Sequence, residues 1–273
     1  MKSKFDIGRA LRLAAVAGAA LAVAPVARAA DFSVTYGVTI VGLRIGTGTL
    51  VGHVAGGRYN LTLNGGLAGI AKLLVHQAIA AGANGGFGGA LTPDAFAMTA
   101  ARGGDRHTIR MSMGGGAVRA VQISPKPRPP GPEYVPLAPG AKVGVVDPLS
   151  AFLMPAANAV PGPGACDRTL RIFDSEARFD VAMSFDSVAN GGARGYSGPV
   201  ALCTARYRPL SGYRRDKAEL NFETKNPTIE VALAPAPGVA AFVPYRVVIQ
   251  TSIGPAVIQA EAISGGVAKK ASR

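Results

Sequence analysis

Apolar and polar residues alternate with a period of two through much of the chain. Phe32, Val34, Tyr36, Val38 and Ile40 are separated by Ser33, Thr35, Gly37 and Thr39. Tyr59, Leu61 and Leu63 alternate with Asn60, Thr62 and Asn64, and Ile109, Met111 and Met113 with Thr108, Arg110 and Ser112. The pattern returns at Phe179, Val181, Met183 and Phe185, at Ala218, Leu220 and Phe222, and at Ile229, Val231 and Leu233. Successive side chains of an extended strand point to opposite sides, so each run has one apolar and one polar face. Gly56-Gly57, Gly65-Gly66, Gly103-Gly104-Asp105, Gly114 to Gly116 and Asn190-Gly191-Gly192 supply turn chemistry between runs. The pattern predicts an all-β fold with about a dozen antiparallel strands or more.

Two segments depart from this period. Leu67 to Leu74 (LAGIAKLL) predicts a short apolar helix. Asp147-Pro148 predicts the start of another, with Asp147 as N-cap and Pro148 at the first helical position. That helix is expected to run through Leu149, Phe152, Leu153 and Met154 towards Val160, interrupted at Pro155. The expected architecture is a strongly curved antiparallel sheet, a spiral or half-open barrel, with one or two short helices against its concave face. Ser124 to Gly140 carries seven prolines and reads as an extended loop with polyproline character. It is taken as a loop inside one domain spanning residues 31–263, followed by a basic flexible tail at 264–273.

The first residues look like an export signal. Lys2, Lys4, Arg9 and Arg12 precede an apolar stretch from Leu13 to Val26, and Ala27-Arg28-Ala29 provides small side chains for a signal peptidase. The stretch is shorter than the about 20 residues that a membrane helix needs. A signal peptide over residues 1–29, cleaved after Ala29 or Ala30, predicts a periplasmic protein with no transmembrane segment in the mature chain.

Export changes how composition and charge are read. The 273 residues are 48% hydrophobic and 16% charged, which excludes a disordered chain. The formal net charge is +13, and the leader carries five cations against Asp6, leaving +9 for the mature chain. Nucleic acid is not an expected partner in the periplasm, so the excess means solubility and attraction to anionic envelope surfaces. Cys166 and Cys203 are the only thiols, and an oxidising compartment favours a disulfide between them.

Candidate chemistry is sparse. His53, His76 and His107 occur singly, without metal-ligand spacing. Gly195-Tyr196-Ser197-Gly198 lacks the spacing of a nucleophile elbow, and Gly85-Gly86-Phe87-Gly88-Gly89 reads as a flexible loop. No catalytic residue, metal or cofactor is assigned. The densest polar stretch runs from Arg206 to Lys217, where Arg206, Arg208, Arg214 and Arg215 are candidate contacts for an anion or lipid head group. The competing reading is a solvated hairpin whose arginines pair with Asp167 and Asp174.

Several motifs occur together: Asp31-Phe32-Ser33-Val34-Thr35-Tyr36 with Val41-Gly42-Leu43, Leu67-Ala68-Gly69-Ile70, and Val146-Asp147-Pro148-Leu149-Ser150. Cys166-Asp167-Arg168-Thr169-Leu170-Arg171-Ile172-Phe173-Asp174, Ala201-Leu202-Cys203 and Ser211-Gly212-Tyr213-Arg214 complete the set. This set resembles the bacterial exported family known as DUF3108, a domain of unknown function. The resemblance implies a periplasmic β-rich protein similar in outline to curved-sheet envelope proteins, and it makes Cys166 and Cys203 the family's cysteine pair. It carries over no catalytic residues. The expected function is a non-enzymatic periplasmic module for cell-envelope maintenance, binding an envelope protein or an apolar or lipid ligand. The alternative is a hydrolase acting on an envelope glycan or lipid, for which Asp147, Asp167 and Asp174 are the acids that would have to converge.

Overall fold

A computed structural model describes residues 29–68, 77–127, 129, 131–215 and 229–267. The first seven strands are β1 (Ala30–Ile40), β2 (Leu43–Ala55), β3 (Arg58–Leu67), β4 (Gln77–Phe87), β5 (Leu91–Arg102), β6 (Asp105–Gly114) and β7 (Ala117–Ser124). The second half holds β8 (Met154–Pro155), β9 (Arg168–Phe173), β10 (Arg178–Ala193), β11 (Tyr196–Ser211), β12 (Ile229–Pro235), β13 (Ala241–Thr251) and β14 (Gly254–Val267). A single turn of 3-10 helix at Ser150–Phe152 and a four-residue helix, α1 (Pro163–Cys166), complete the described elements.

All pairings between strands are antiparallel, in one open path running β7-β6-β5-β4-β3-β2-β1-β14-β13-β12-β11-β10-β9. Each half is therefore a meander of neighbours, and the two halves join where β1 pairs with β14 from Ala30↔Val267 to Ile40↔Ala256. The path leaves two edges, β7 and β9, and one short segment links them. Val118 N donates to Lys142 O and Gly144 N to Gly116 O on the β7 side. On the β9 side, Val146 N donates to Arg171 O and Phe173 N to Val146 O.

The alternation seen along β1, β3 and β6 turns one face inward. Phe32, Val34 and Tyr36, Tyr59 and Leu61, and Ile109, Met111 and Met113 are all buried in the main core. Leu149 and Leu153, with Val145, fill the space that this face encloses. A second cluster lies on the opposite face of the later strands, where Met183, Cys203, Val231, Leu233 and Phe242 pack with Ala165 and Cys166 of α1. The Cys166–Cys203 disulfide, with Cα atoms 5.6 Å apart, ties α1 to β11 at the centre of this cluster.

Several local expectations are corrected. The helix expected from Asp147 to Val160 is one 3-10 turn, because the chain becomes extended at Leu153 and Met154–Pro155 pairs with Phe242 and Ala241 of β13. Gly65-Gly66 and Asn190-Gly191-Gly192 are not turns but lie inside β3 and β10. They mark close approaches: a Cβ on Gly65 would sit 2.9 Å from Thr47 O, and one on Gly191 would meet Val200 and the Tyr245 ring. Gly85 to Phe87 belong to β4 rather than to a flexible loop. The Pro-rich stretch is anchored, with Val135 N donating to Tyr213 O and Gly212 N to Val135 O. β14 continues to Val267, so the sheet includes residues 264–267 of the expected tail. Residues 1–28 of the expected signal peptide, the expected helix from Gly69 onward, the run from Ala218 to Phe222, and 268–273 lie outside the described residues.

The disulfide closes a 37-residue separation. Replacing both cysteines by alanine is expected to lower unfolding free energy by about 4 kcal/mol on the chain-entropy account, read by urea denaturation of oxidised protein.

Candidate functional site

The inner face is filled over most of its length but not at the end where β1 and β2 meet. A half-open cavity of about 250 Å³ lies there, between the strands β1 to β4, Ile258 of β14 and Phe152 of the 3-10 turn. Tyr36 and Phe152 meet edge to face, with ring centroids 6.3 Å apart, and form its floor. The Tyr36 hydroxyl donates to Pro244 O at 3.0 Å, so its polar end is satisfied elsewhere and its ring serves as apolar wall. Burial holds that phenol well above its ordinary pKa. Val38, Leu63 and Ile79 supply further apolar wall, and Gln77 contributes an amide.

Glycine explains the empty space. Gly46, Gly48, Leu50, Gly52 and Val54 succeed one another at every second position of β2. At Gly52 the Phe32 ring fills the volume that a Cβ would need. At Gly48 a Cβ would make only ordinary contact, 3.6 Å from Leu63 Cδ1. Among the described residues no aromatic ring crosses that position, and a hollow remains. This Gly-x-Gly spacing was the available sequence signal, masked by reading the chain's glycines as turn residues.

Asp147 anchors the floor. Its Oδ1 accepts from Leu149 N at 3.0 Å and Ser150 N at 2.9 Å, and its Oδ2 accepts from Ser150 Oγ at 2.5 Å. This is the hydrogen bonding of an N-cap, although the turn that follows is too short for the expected helix. With the Ser150 proton committed to Asp147, the Tyr59 hydroxyl donates to Ser150 Oγ, at 2.6 Å. The carboxylate is fully buried. Desolvation pushes its pKa above the ordinary carboxylate value, against the hydrogen bonds from Ser150 and Leu149 that favour the charged form. The other two candidate acids bind backbone instead: Asp167 accepts from Phe185 N, and Asp174 from Glu176 N and Ala177 N. The three carboxyl groups are thus each engaged locally and form no shared site.

The arginine stretch is divided. Arg206 and Arg208 are exposed on β11, where Arg208 faces Asp180 across the β10 ladder. Arg214 pairs with Glu133 at 3.0 Å, and the Arg215 amide donates to Glu133 O. The pairing seen for Arg214 is thus with Glu133, where Asp167 or Asp174 was expected. Lys217 lies outside the described residues. A second cavity, of about 280 Å³, lies at the seam beside β9. Its Arg168 donates to Pro155 O at 2.9 Å and Gly164 O at 2.5 Å, bracing β8 and α1. Among the described residues there is no cluster of three or more His, Cys, Asp or Glu suited to a metal, and no helix long and apolar enough to cross a membrane.

No family model matches the chain, which leaves the DUF3108 resemblance resting on its motifs. No curated protein matches it either. A similar solved structure is the beta-barrel-like protein of domain of unknown function DUF1849 from Brucella abortus. The two share 9% identity and a TM-score of 0.45, over 87% of this chain and 98% of that one.

The raised Asp147 pKa fixes the sign of a pH dependence. A carboxyl whose folded pKa lies above its unfolded value binds more protons in the folded state. Its contribution is complete below the unfolded value and is lost as pH rises through the folded one. Thermal melts at increasing pH are expected to show this falling limb in the wild type and not in Asp147→Asn. Asp147→Ala, which strands three buried donors, is expected to cost about 3 kcal/mol at acidic pH and less as the pH rises through the folded value.

Proposed function

We propose that the protein is a non-enzymatic periplasmic module of cell-envelope maintenance. It takes an apolar group, such as part of a lipid acyl chain, into the cavity above Tyr36 and Phe152. The observation that carries this reading is the 250 Å³ hollow itself, whose walls are apolar apart from Gln77 and Thr47. Small-molecule sites begin at about 300 Å³, and dry apolar cavities of about 150 Å³ already hold a benzene ring. A hollow of this size suits one ring system or a short length of acyl chain. The engagement of Asp147, Asp167 and Asp174 with backbone groups speaks against the hydrolase.

The periplasmic part of the proposal draws on other features. The Lys2 to Ala29 leader pattern ends one residue before β1, which begins at Ala30. The Cys166–Cys203 disulfide is of the kind that persists in an oxidising compartment. The motif resemblance to DUF3108 points the same way.

The test is a fluorescence titration with N-phenyl-1-naphthylamine, an apolar probe that brightens out of water. The wild type is expected to bind saturably. Gly48→Leu, which fills the hollow, is expected to weaken binding about tenfold or more while leaving Tm unchanged or higher. Absence of saturable binding, or equal binding by Gly48→Leu, would sink the proposal.

A further inference from the structure

Two hairpin tips lie side by side at the cavity end of the sheet, and both present aliphatic side chains to solvent. Val41 sits in the turn between β1 and β2, with Leu43 immediately after it, and Ile253 sits in the turn between β13 and β14. Their exposures are 55%, 70% and 69%. The tips touch: Val41 N donates to Pro255 O at 2.9 Å, and a Cβ on Gly254 would lie 3.0 Å from Val41 Cγ2. Three large exposed aliphatic groups are thus gathered on two touching tips rather than scattered over the surface.

The backbone at Val41 adds an independent observation. Its φ is 50° and that of Gly42 is 77°, the signs required of a two-residue type I′ turn. Asn, Asp or Gly is the usual residue at that first position, and a β-branched residue there is a steric outlier. Burial does not compensate the strain, because most of the side chain is in water. A strained apolar residue kept at an exposed tip points to a contact made outside the molecule.

Charge says which contact. Following the ladder from β1 through β2, β3 and β4 to β5 brings the β5–β6 hairpin to the same end, where Arg102 and Arg106 are exposed beside a single acid, Asp105. β11 runs to the same end through its exposed Arg206 and Arg208. Arg44, next to Leu43 in sequence, is held by Glu261 at 2.6 Å.

We infer that this end of the sheet docks on an anionic lipid bilayer, with Val41, Leu43 and Ile253 entering the interface and the flanking arginines at the level of the head groups. Apolar insertion combined with cation–phosphate attraction is the physics of interfacial binding generally. This surface is separate from the cavity and its docking stands whether or not the cavity takes a ligand.

Co-sedimentation of the full-length chain with phosphatidylethanolamine–phosphatidylglycerol vesicles tests the inference. Wild type and variants carry the same N-terminal segment, so its contribution cancels between them. Wild type is expected to sediment with these vesicles and far less with phosphatidylcholine alone. The triple variant Val41→Asn, Leu43→Asn, Ile253→Asn is expected to bind about tenfold or more weakly, and Val160→Asn, an equally exposed valine elsewhere, unchanged. Val41→Asn alone suits the positive φ, so it keeps the fold and is still expected to weaken binding several-fold. Wild type remaining in the supernatant, equal binding to both lipid compositions, or undiminished binding by the tip variants overturns the inference. An equal loss in Val160→Asn does so as well.

Discussion

An antiparallel sheet that curves far enough to enclose space on one side has to fill that space, and here the filling comes from Val145 to Leu153. Val145, Leu149 and Leu153 are buried against side chains of strands that are far from them in sequence. Asp147 sets the shape of this segment, drawing Leu149 N, Ser150 N and Ser150 Oγ onto one carboxylate. Tyr59 then fastens the segment to β3 through Ser150. The chain just before it, Lys142 to Val146, bonds to both β7 and β9. The same stretch that links the two edges therefore delivers the filling, and neither arrangement is available without the other.

The two halves of the sheet solve the burial problem differently. β3 and β6 bury one face and expose the other, and β1 alternates buried with half-buried residues as far as Tyr36. β12 and β13 are covered on both sides, by the main core and by the cluster around the disulfide, and carry runs of four consecutive buried residues. Small Ala232 and Ala234 face the main core while Val231 and Leu233 face the disulfide cluster. Two-sided burial and a covalent tie both belong to this half. The hollow lies in the half that has neither.

Alternation was sufficient to read the fold class, because period two is imposed by strand geometry wherever one face is wet. The disulfide was legible because only two thiols exist. Glycine misled for a physical reason: it serves positive-φ turns, as at Gly56 and Gly57, and it equally serves strands whose backbones or side chains approach too closely for a Cβ. Only the partner across the ladder distinguishes the two uses, and that partner is not adjacent in sequence. The Asp147 cap was legible as chemistry, but not the length of what it caps, since β13 captures Met154 and Pro155 by pairing. The arginines were legible as exposed cations, yet their counter-ions depended on where the Pro-rich loop places Glu133.

The glycines around the cavity separate necessity from choice. Gly65 and Gly66 have no alternative, since a Cβ would lie 2.9 Å from Thr47 O and 2.8 Å from Gln77 O. Gly46 is tight, with Gly66 O at 3.2 Å. Gly48 is different: a methyl there meets nothing closer than 3.6 Å. Glycine in a strand interior costs roughly 0.5–1 kcal/mol relative to alanine through backbone entropy alone. An aliphatic side chain would also bury apolar area in the hollow. Stability therefore favours filling position 48, and packing does not forbid it. What glycine preserves there is the volume beside Tyr36 and Phe152, and that volume is the one property of the site that a larger residue would remove.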